Sequence, residues 1–469
     1  MQSGKAGGKW FALFIAVPVV MGKSRRESGK NMEESCLHGD FRRFYTVVCD
    51  NGFPVGGSKR RKSVYPAGYR RFATGRKPDF RNRQGDDMDN FTFYNPTRIE
   101  FGRDKEKLLG QYVAADGIRK VMLCYGSDRI KRSGLFDTVA GSLGEKGIEV
   151  TEFGGVVSNP VISTVRKAIE SVRANGIEAI VSVGGGSVLD SAKAIAAGTL
   201  YDGDVWDLFI GKGVIEKALP VYDVITMAAS GSEMNPTGVV TNEETRQKLF
   251  IAAEPLFPRV SVINPALMRS VTKDYLVYSA ADIIAHSIEG YFTASVQPHF
   301  PSRIVESVIN TVIETTEILL ENPENDDVRG EFAWAATMAL NGMTLTGTSG
   351  YSYPNHMIEH SLSALYNVPH GAGLSVVMPA WMKWYSPKNP GQFERFAKKI
   401  FGLSTPEEGI VALENWFNRI GTPTRLSQLG IGEKDLPAIV ENVLANAQAF
   451  GLAGVYTGEI VTRILENAL

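Results

Sequence analysis

The sequence predicts an α/β plus all-α fold, with a parallel-sheet domain at 88–271 followed by an all-helical domain at 272–469. In the first part, short strands that are apolar on both faces alternate with helical stretches, as in a parallel sheet covered by helices. In the second part only helical periods recur. A chain of 469 residues also exceeds one ordinary core, so two domains are expected.

The first 87 residues form a different kind of sequence. They hold 18 Lys and Arg against 8 Asp and Glu, whereas the remaining residues hold 32 against 43. An apolar run at 10–21 follows two lysines, as in a signal peptide, but no small-residue cleavage site follows and the run is too short to span a bilayer. We predict that residues 1–87 are a non-globular basic leader, either disordered or read upstream of a true start at Met88.

Composition excludes some classes of function for the rest of the chain. Its acidic balance gives no electrostatic footprint for nucleic acid, and no segment predicts a membrane span. Of the three cysteines only Cys124 lies beyond the leader, so no disulfide framework can form there. This cysteine usage favours a reducing compartment, and we expect a cytoplasmic protein.

The α/β domain begins with a regular alternation of elements. Apolar runs predict strands at 121–125, 148–153 and 179–183. Helical stretches between them are predicted at 134–147 and 160–174. In parallel sheets of this kind, ligands bind at the carboxyl ends of the strands.

A glycine triplet stands at such a strand end. The third strand runs into G-G-G-S at 184–187, where glycines let the backbone approach a diphosphate and the helix starting at Ser187 points free amides toward it. Alone, a glycine triplet is equally a tight turn, and this one is neither G-x-G-x-x-G nor a Walker loop. A second loop, T-M-A-A-S-G-S-E at 226–233, offers hydroxyls after another strand-like segment. The two loops together predict a Rossmann-like, dinucleotide-binding domain.

The helical domain is predicted from amphipathic periods separated by N-P, P-H-G, S-P and G-T-P. The periods lie at 279–292, 301–321, 326–345, 355–366, 391–401, 406–420 and 434–449. A site between the two domains is expected, since pockets commonly form at such junctions.

Histidines give the strongest chemical signal. Three of the six fall within fifteen residues, at His356, His360 and His370, and His286 follows Asp282 at a spacing that places both on one helix face. Imidazoles with one carboxylate form the donor set of a catalytic divalent metal. We predict the metal ligands to be Asp282, His286, His356 and His370, with His360 free to bind substrate or move a proton. A hydrogen-bonded core histidine is the alternative for His360.

Five motifs in order carry a family resemblance: G-G-G-S-V-L-D-S-A-K, S-G-S-E, D-I-I-A-H, H-M-I-E-H and N-V-P-H-G. They resemble the iron-dependent (group III) alcohol dehydrogenases, and E-H-S-L-S-A-L-Y and P-A-W-M-K are similar to the butanol dehydrogenase branch. The resemblance covers 88–469. It implies a dimeric enzyme that interconverts primary alcohols and aldehydes with NAD or NADP.

The resemblance also implies site residues. It places the same four metal ligands, with Fe²⁺ or possible Zn²⁺ bound, since donor type alone does not choose between these ions. The further histidine of the family falls on His360. The predicted cofactor residues are Gly126, Ser127, Asp128, Arg129, Asn159, Gly184, Gly185, Gly186, Ser187, Asp190, Thr226, Ser230 and Lys248.

One departure from the branch concerns the cofactor. After the first strand, members that prefer NADP read Y-G-G-G-S, whereas this chain reads Y-G-S-D-R at 125–129. Asp128 could bind the ribose 2′-hydroxyl and repel a 2′-phosphate, while Arg129 could pair with that phosphate. The cofactor use of this family slightly favours NADP over NAD.

Two other functions stay open at this point. A lyase of the dehydroquinate synthase type also pairs NAD with a metal, but it needs basic residues near the histidines and 350–375 contains no Lys or Arg. A nonenzymatic metal-binding or scaffolding role would leave the glycine and hydroxyl loops unexplained. The sequence does not choose the aldehyde: Tyr351, Tyr353, Met357 and Leu362 suggest a pocket for apolar chains, or equally the core.

Overall fold

The computed structural model describes residues 88–469, so the leader predicted for 1–87 lies outside the described residues. The strands are β1 (Arg98–Phe101), β2 (Lys120–Tyr125), β3 (Glu149–Phe153), β4 (Ala179–Gly184), β5 (Val221–Ile225), β6 (Thr237–Asn242), β7 (Gln247–Ala252) and β8 (Val260–Ile263). The helices of the same half are α1 (Leu109–Ala115), α2 (Arg129–Arg132), α3 (Leu135–Gly144), α4 (Ile162–Asn175), α5 (Gly186–Thr199) and α6 (Trp206–Phe209).

Six of these strands form one parallel sheet in the order β1-β8-β5-β4-β2-β3. The central strand β4 is buried along its whole length, which explains why its sequence is apolar without alternation. The chain passes from β2 outward to β3 and then returns to the other side of β2 to form β4. Since ligands bind where the strand order reverses, this topology directs a ligand to the ends of β2 and β4.

The remaining two strands, β6 and β7, form an antiparallel hairpin outside the sheet. This hairpin was not predicted from the sequence. Its turn contains no glycine, and the residue with left-handed backbone is Arg246, with φ of 53°. The usual hairpin signal is therefore missing from the sequence. The strand β7 packs against the helical half, so the hairpin joins the two halves.

The helical half contains α7 (Lys273–Thr293), α8 (His299–Glu321), α9 (Asp326–Ala339), α10 (Pro354–Tyr366), α11 (His370–Tyr385), α12 (Pro390–Phe396), α13 (Pro406–Ile420), α14 (Leu436–Ala449) and α15 (Gly458–Glu466). A Rossmann-like parallel sheet followed by helices confirms the predicted fold class. None of the helices at 88–469 is long and apolar enough to cross a membrane.

Capping residues set the ends of α13, the helix predicted at 406–420. Helix α13 begins after Thr405, whose hydroxyl accepts the Glu408 amide in a capping box, and ends at Gly421 with φ of 91°. Helix α11 was not predicted, because residues 371–382 are buried on all sides and show no amphipathic period. Helix α10 ends before Asn367, whose backbone is left-handed with φ of 52°, and the P-H-G segment begins the next helix, since Pro369 immediately precedes α11.

Candidate metal centre and nucleotide cleft

Three helices bring the four predicted metal ligands together. Asp282 and His286 lie on one face of α7, His356 lies on α10, and His370 is the first residue of α11. The Oδ1 atom of Asp282 is 3.6 Å from Nδ1 of His286, 3.7 Å from Nε2 of His356 and 3.6 Å from Nε2 of His370. Three imidazole nitrogens thus surround one carboxylate oxygen.

The donor atoms fit a divalent metal ion. Asp282 Oδ1, His286 Nδ1 and His356 Nε2 are buried and have no hydrogen-bond partner among the described residues. Each unsatisfied buried polar atom costs about 1–3 kcal/mol, so a cluster of three calls for a ligand. A tetrahedral metal with bonds of about 2.1 Å places its ligand atoms about 3.4 Å apart, close to these separations.

The charges in the cluster suit a cation. Burial opposes ionisation of Asp282, but His286, His356 and His370 hold the pKa of this carboxyl below its ordinary value. Burial lowers the pKa of His286 to about 3, so its imidazole is neutral at physiological pH. For His356, burial is outweighed by Asp282 and Glu289, which raise its pKa to about 9. A metal ion must therefore displace a proton from His356.

Two buried glutamates that the sequence analysis did not name orient the ligand histidines. Glu289, on α7, accepts hydrogen bonds from His356 Nδ1 at 2.9 Å and from the His356 backbone amide at 3.0 Å. Asn355 donates to its other oxygen at 3.2 Å. With its Nδ1 proton held by Glu289, His356 presents Nε2 to Asp282, and such support raises the basicity of a ligand.

Glu359, on α10, orients His370 as Glu289 orients His356. It accepts from His370 Nδ1 and, at 2.5 Å, from the hydroxyl of Ser363. Burial raises the pKa of this carboxyl, but His370, Lys248 and Ser363 together hold it below its ordinary value. The signal available in the sequence was an isolated acidic residue within an apolar helical stretch, since unpaired buried acids are rare.

His360 lies beside this cluster. Its Nδ1 donates to the backbone carbonyl of Lys248 at 2.9 Å, which leaves Nε2 as an acceptor. Burial first, and then Lys248, His370 and His356, lower its pKa well below the ordinary value, so the ring is neutral. A second group of metal-type donors is formed by Glu359, His360 and His370, whose atoms lie within 4.8 Å of one another.

The cluster of predicted metal ligands forms the inner end of a long cleft, in which nearly all the predicted cofactor residues meet. The inner part is lined by Asn159, Gly186, Ser187, Asp190, Ser230, Lys248 and the five predicted metal and catalytic residues. The outer part is lined by Gly126, Ser127, Arg129, Gly184, Gly185 and Thr226. The two parts share Met227 and Tyr275. Of the predicted residues, all within 88–469, only Asp128 lines neither part.

Close packing explains the glycine triplet. None of the three has positive φ, so a strained turn does not require them. A Cβ at Gly184 would lie 2.4 Å from the Val188 side chain, and one at Gly186 would lie 2.4 Å from the Ser230 hydroxyl. The helix α5 starts at Gly186, so its N-terminus, which attracts anions, faces the cleft.

Asp190 holds the second cofactor loop, residues 226–233, in place. Its carboxylate accepts hydrogen bonds from the Ser232 hydroxyl at 2.7 Å and from the Val239 backbone amide at 3.1 Å. The buried Lys193 ammonium donates to the carbonyl groups of Ser232 and Asn235 at 2.7 and 2.8 Å. A buried polar network thus fixes the loop that bears Ser230, and both oxygens of Asp190 are engaged by the protein.

Comparisons with known proteins agree on one family. Residues 96–265 match the family model described as iron-containing alcohol dehydrogenase, and residues 276–469 match the C-terminal model of the Fe-containing alcohol dehydrogenase family. "Probable NADH-dependent butanol dehydrogenase 1" of Bacillus subtilis is 38% identical over 390 residues, 81% of this chain and 100% of that protein. The NADPH-dependent aldehyde reductase YqhD of Escherichia coli is 31% identical over 365 residues, 76% of this chain and 93% of that protein.

A solved structure gives the same answer for the fold. The crystal structure of NADH-dependent butanol dehydrogenase A from Thermotoga maritima is 46% identical and superposes with a TM-score of 0.79, covering 81% of this chain and 99% of that one. Both halves of the described chain therefore match one family in sequence, and the whole matches it in fold. The chain belongs to the iron-containing alcohol dehydrogenase family.

Proposed function

We propose that this oxidoreductase interconverts a short primary alcohol and its aldehyde, of the size of butanol and butanal, by hydride transfer with NAD(P)H. The observation that carries the proposal is the convergence of unpaired buried donor atoms at the inner end of a cleft. The outer end of that cleft is built by glycine and hydroxyl loops at the carboxyl ends of parallel strands. A dinucleotide in the outer part would direct its nicotinamide toward the metal centre.

The residues that would hold the metal are Asp282, His286, His356 and His370, and we propose Fe²⁺ as the ion, with Zn²⁺ as a competent substitute. A bound divalent ion supplies Lewis acidity to the substrate oxygen, which favours the alkoxide over the alcohol and polarises the aldehyde carbonyl. Glu289 fixes the ring of His356 through the hydrogen bond at 2.9 Å. The burial of Asp282, His286 and His356 limits the access of water to the hydride that is transferred.

His360 is proposed to hold or move the proton that accompanies the hydride. Its Nδ1 proton is committed to the Lys248 carbonyl, so Nε2 carries the free lone pair of a neutral imidazole. It lines the same cavity as the metal ligands. Such a group accepts a proton from the alcohol side and returns it in the reductive direction.

The loop after β2 bears on the choice of dinucleotide. The Asp128 side chain is 68% exposed and lies 4.0 Å from the Lys131 ammonium. Arg129 lines the cleft and donates to the Ser270 carbonyl at 2.9 Å. The cleft wall is therefore cationic at this end, and we propose that it accepts the 2′-phosphate of NADPH. Related proteins carry both NADH-dependent and NADPH-dependent names.

The inner cavity supports a short, apolar substrate. Met227, Leu340 and Tyr278 line it together with the metal ligands and offer no charged group to a substrate chain. The relatives described above are butanol dehydrogenases and an aldehyde reductase, which gives the dehydroquinate synthase-type lyase no support. We further propose a cytoplasmic homodimer, in keeping with the resemblance and with Cys124 as a buried free thiol.

The test is NAD(P)H oxidation with butanal by the full-length chain, before and after treatment with a chelator, and again after Fe²⁺ or Zn²⁺ is restored. The proposal predicts turnover that is lost on chelation and returns with one of these ions. A folded protein that binds dinucleotide but reduces no aldehyde with any metal would contradict it. Light scattering in the same buffer tests the homodimer.

A further inference from the structure

The loop that carries His370 is held from the sheet half of the molecule. Asn159 follows β3, is 7% exposed and has left-handed backbone with φ of 54°. Its amide nitrogen donates to the Val368 carbonyl at 3.0 Å and to the Asn367 side chain at 3.2 Å. Both acceptors lie just before His370, so one buried side chain fixes the path of the backbone into α11.

Lys248, on β7, approaches the same ligand from the hairpin. Its ammonium lies 3.0 Å from Asn159 Oδ1, 3.1 Å from the Ser363 hydroxyl and 3.6 Å from Glu359 Oε2. The lysine side chain is 5% exposed and that of Glu359 is fully buried. The first two contacts are hydrogen bonds, and the third is an ion pair slightly longer than a hydrogen bond.

The hydrogen bond from the His370 ring determines how Lys248 acts on this residue. The Lys248 ammonium is 3.2 Å from His370 Nδ1, but the Nδ1 proton of that ring is directed to Glu359. The lysine therefore acts on His370 through Glu359, whose charge it compensates in a buried setting. His370 needs this support most, since its side chain is 26% exposed against 7–9% for the other three ligands.

We propose that Lys248 and Asn159 are positioning residues for the metal centre, which hold His370 through Glu359 and through the loop before α11. This assignment rests on the proposed function only for the identity of the site as a metal centre. It adds a role at the metal centre to the dinucleotide contact that the family resemblance implies for both residues, which line the cleft. The sheet half thus supplies no metal ligand but determines how well the fourth ligand binds.

The test measures zinc affinity of the full-length protein by competition with a chromophoric chelator, with no dinucleotide or substrate present. Loss of a group that orients a ligand typically weakens metal binding about 10–100-fold, and we expect this for Lys248→Met. Asn159→Ala should weaken it by about tenfold, since it frees the loop and removes one acceptor of Lys248 but keeps the ion pair with Glu359. Thr226→Ala is the matched control, because Thr226 lines the outer cleft. It should weaken NADPH binding and leave the dissociation constant for zinc within about twofold.

A second variant guards against misfolding of the first. Lys248→Met/Glu359→Gln removes both charges, which avoids an uncompensated buried carboxylate. Lys248 and Glu359 act through one contact. The double variant should therefore lose no more zinc affinity than whichever of Lys248→Met and Glu359→Gln alone binds zinc more weakly. Thermal unfolding of each metal-free variant checks that it is folded.

Two results would overturn the assignment. One is a Lys248→Met protein that binds zinc as tightly as the wild type while its affinity for NADPH falls about tenfold or more. The other is a double variant whose losses add, which would mean that the two side chains act separately. A wild-type protein that binds no metal would defeat the proposed function as well, so the two failures are distinguishable.

Discussion

The proposed nucleotide cleft and the proposed metal centre are built by opposite means. The cleft depends on the absence of side chains, because Gly184 and Gly186 leave no room for a Cβ against Val188 and Ser230. The metal centre depends on particular side chains held by other side chains. The first should therefore be sensitive to an added methyl group, and the second to the loss of a single donor atom.

The two regions also differ in how they satisfy polar groups. In the cleft, the backbone amide of Thr226 donates to the Gly184 carbonyl at 2.8 Å, and Asp190 fixes the neighbouring loop. At the metal centre, donor atoms on Asp282, His286 and His356 are buried without a partner. Most buried polar atoms in proteins have a partner, so three unpaired donor atoms that converge on one point indicate a bound ligand. Substitutions in the two regions should therefore differ in their effects on activity, and they are given from the largest expected effect to the smallest.

Asp282→Asn should have the largest effect. It removes the charge that all three histidine nitrogens face at 3.6–3.7 Å. Since Lewis-acid stabilisation supplies several kcal/mol, we expect kcat with butanal to fall by about 10³-fold or more, together with loss of bound metal. Metal analysis and steady-state kinetics check this. The exposed Asp137, changed in the same way, is the control and should keep both properties; full metal content in Asp282→Asn would contradict the account.

His360→Ala should come next. If this residue moves the proton, kcat should fall by about 10²–10⁴-fold while the metal content is unchanged. The control is Phe450→Leu, which alters the ring that contacts His360 at a centroid distance of 5.6 Å without removing the imidazole. A decrease in kcat of less than about twofold would assign His360 to packing and remove it from the reaction.

Gly186→Ala tests the other side of the comparison. The added Cβ would meet the Ser230 hydroxyl at 2.4 Å, and overpacking of this kind costs about 1–3 kcal/mol. We expect the KM for NADPH to rise by about tenfold with metal content unchanged. Ser230→Gly in the same protein should restore part of the loss. As a control, Gly141→Ala on α3 meets nothing within 4 Å and should be neutral.

Arg129→Ala should have the smallest effect. The side chain is exposed at the mouth of the cleft, where an ion pair contributes about 1 kcal/mol at most. We expect the KM for NADPH to rise about fivefold and that for NADH to change by less than about twofold. A wild-type enzyme that strongly prefers NADH, or a variant that weakens both equally, would contradict the cationic role.

The sequence predicted the parts of this molecule in which pattern and chemistry coincide. The apolar strand β4, the capped helix α13 and the spacing of Asp282 and His286 each leave a local signature. Histidines close in sequence also lie close in space, because α10 and α11 are joined by a three-residue connection. The strand and helix signals made the fold class predictable, and the spacing of Asp282 and the histidines predicted which side chains lie together.

The parts that were missed depend on contacts distant in sequence. Glu289 and Glu359 gain their roles only when α7, α10 and α11 are packed together. Lys248 reaches the metal centre through a hairpin whose turn carries no recognisable signal, so its contacts with Ser363 and Glu359 could not be foreseen. A motif locates a residue along the chain, but its hydrogen-bond partners are set by tertiary structure.

The most direct test of the account is the position of the metal in crystals of the iron-loaded or zinc-loaded protein, located by anomalous scattering. The account predicts one strong peak bonded to Asp282, His286, His356 and His370. A peak at the neighbouring group of Glu359, His360 and His370, whose donor atoms also lie within 4.8 Å of one another, would contradict it.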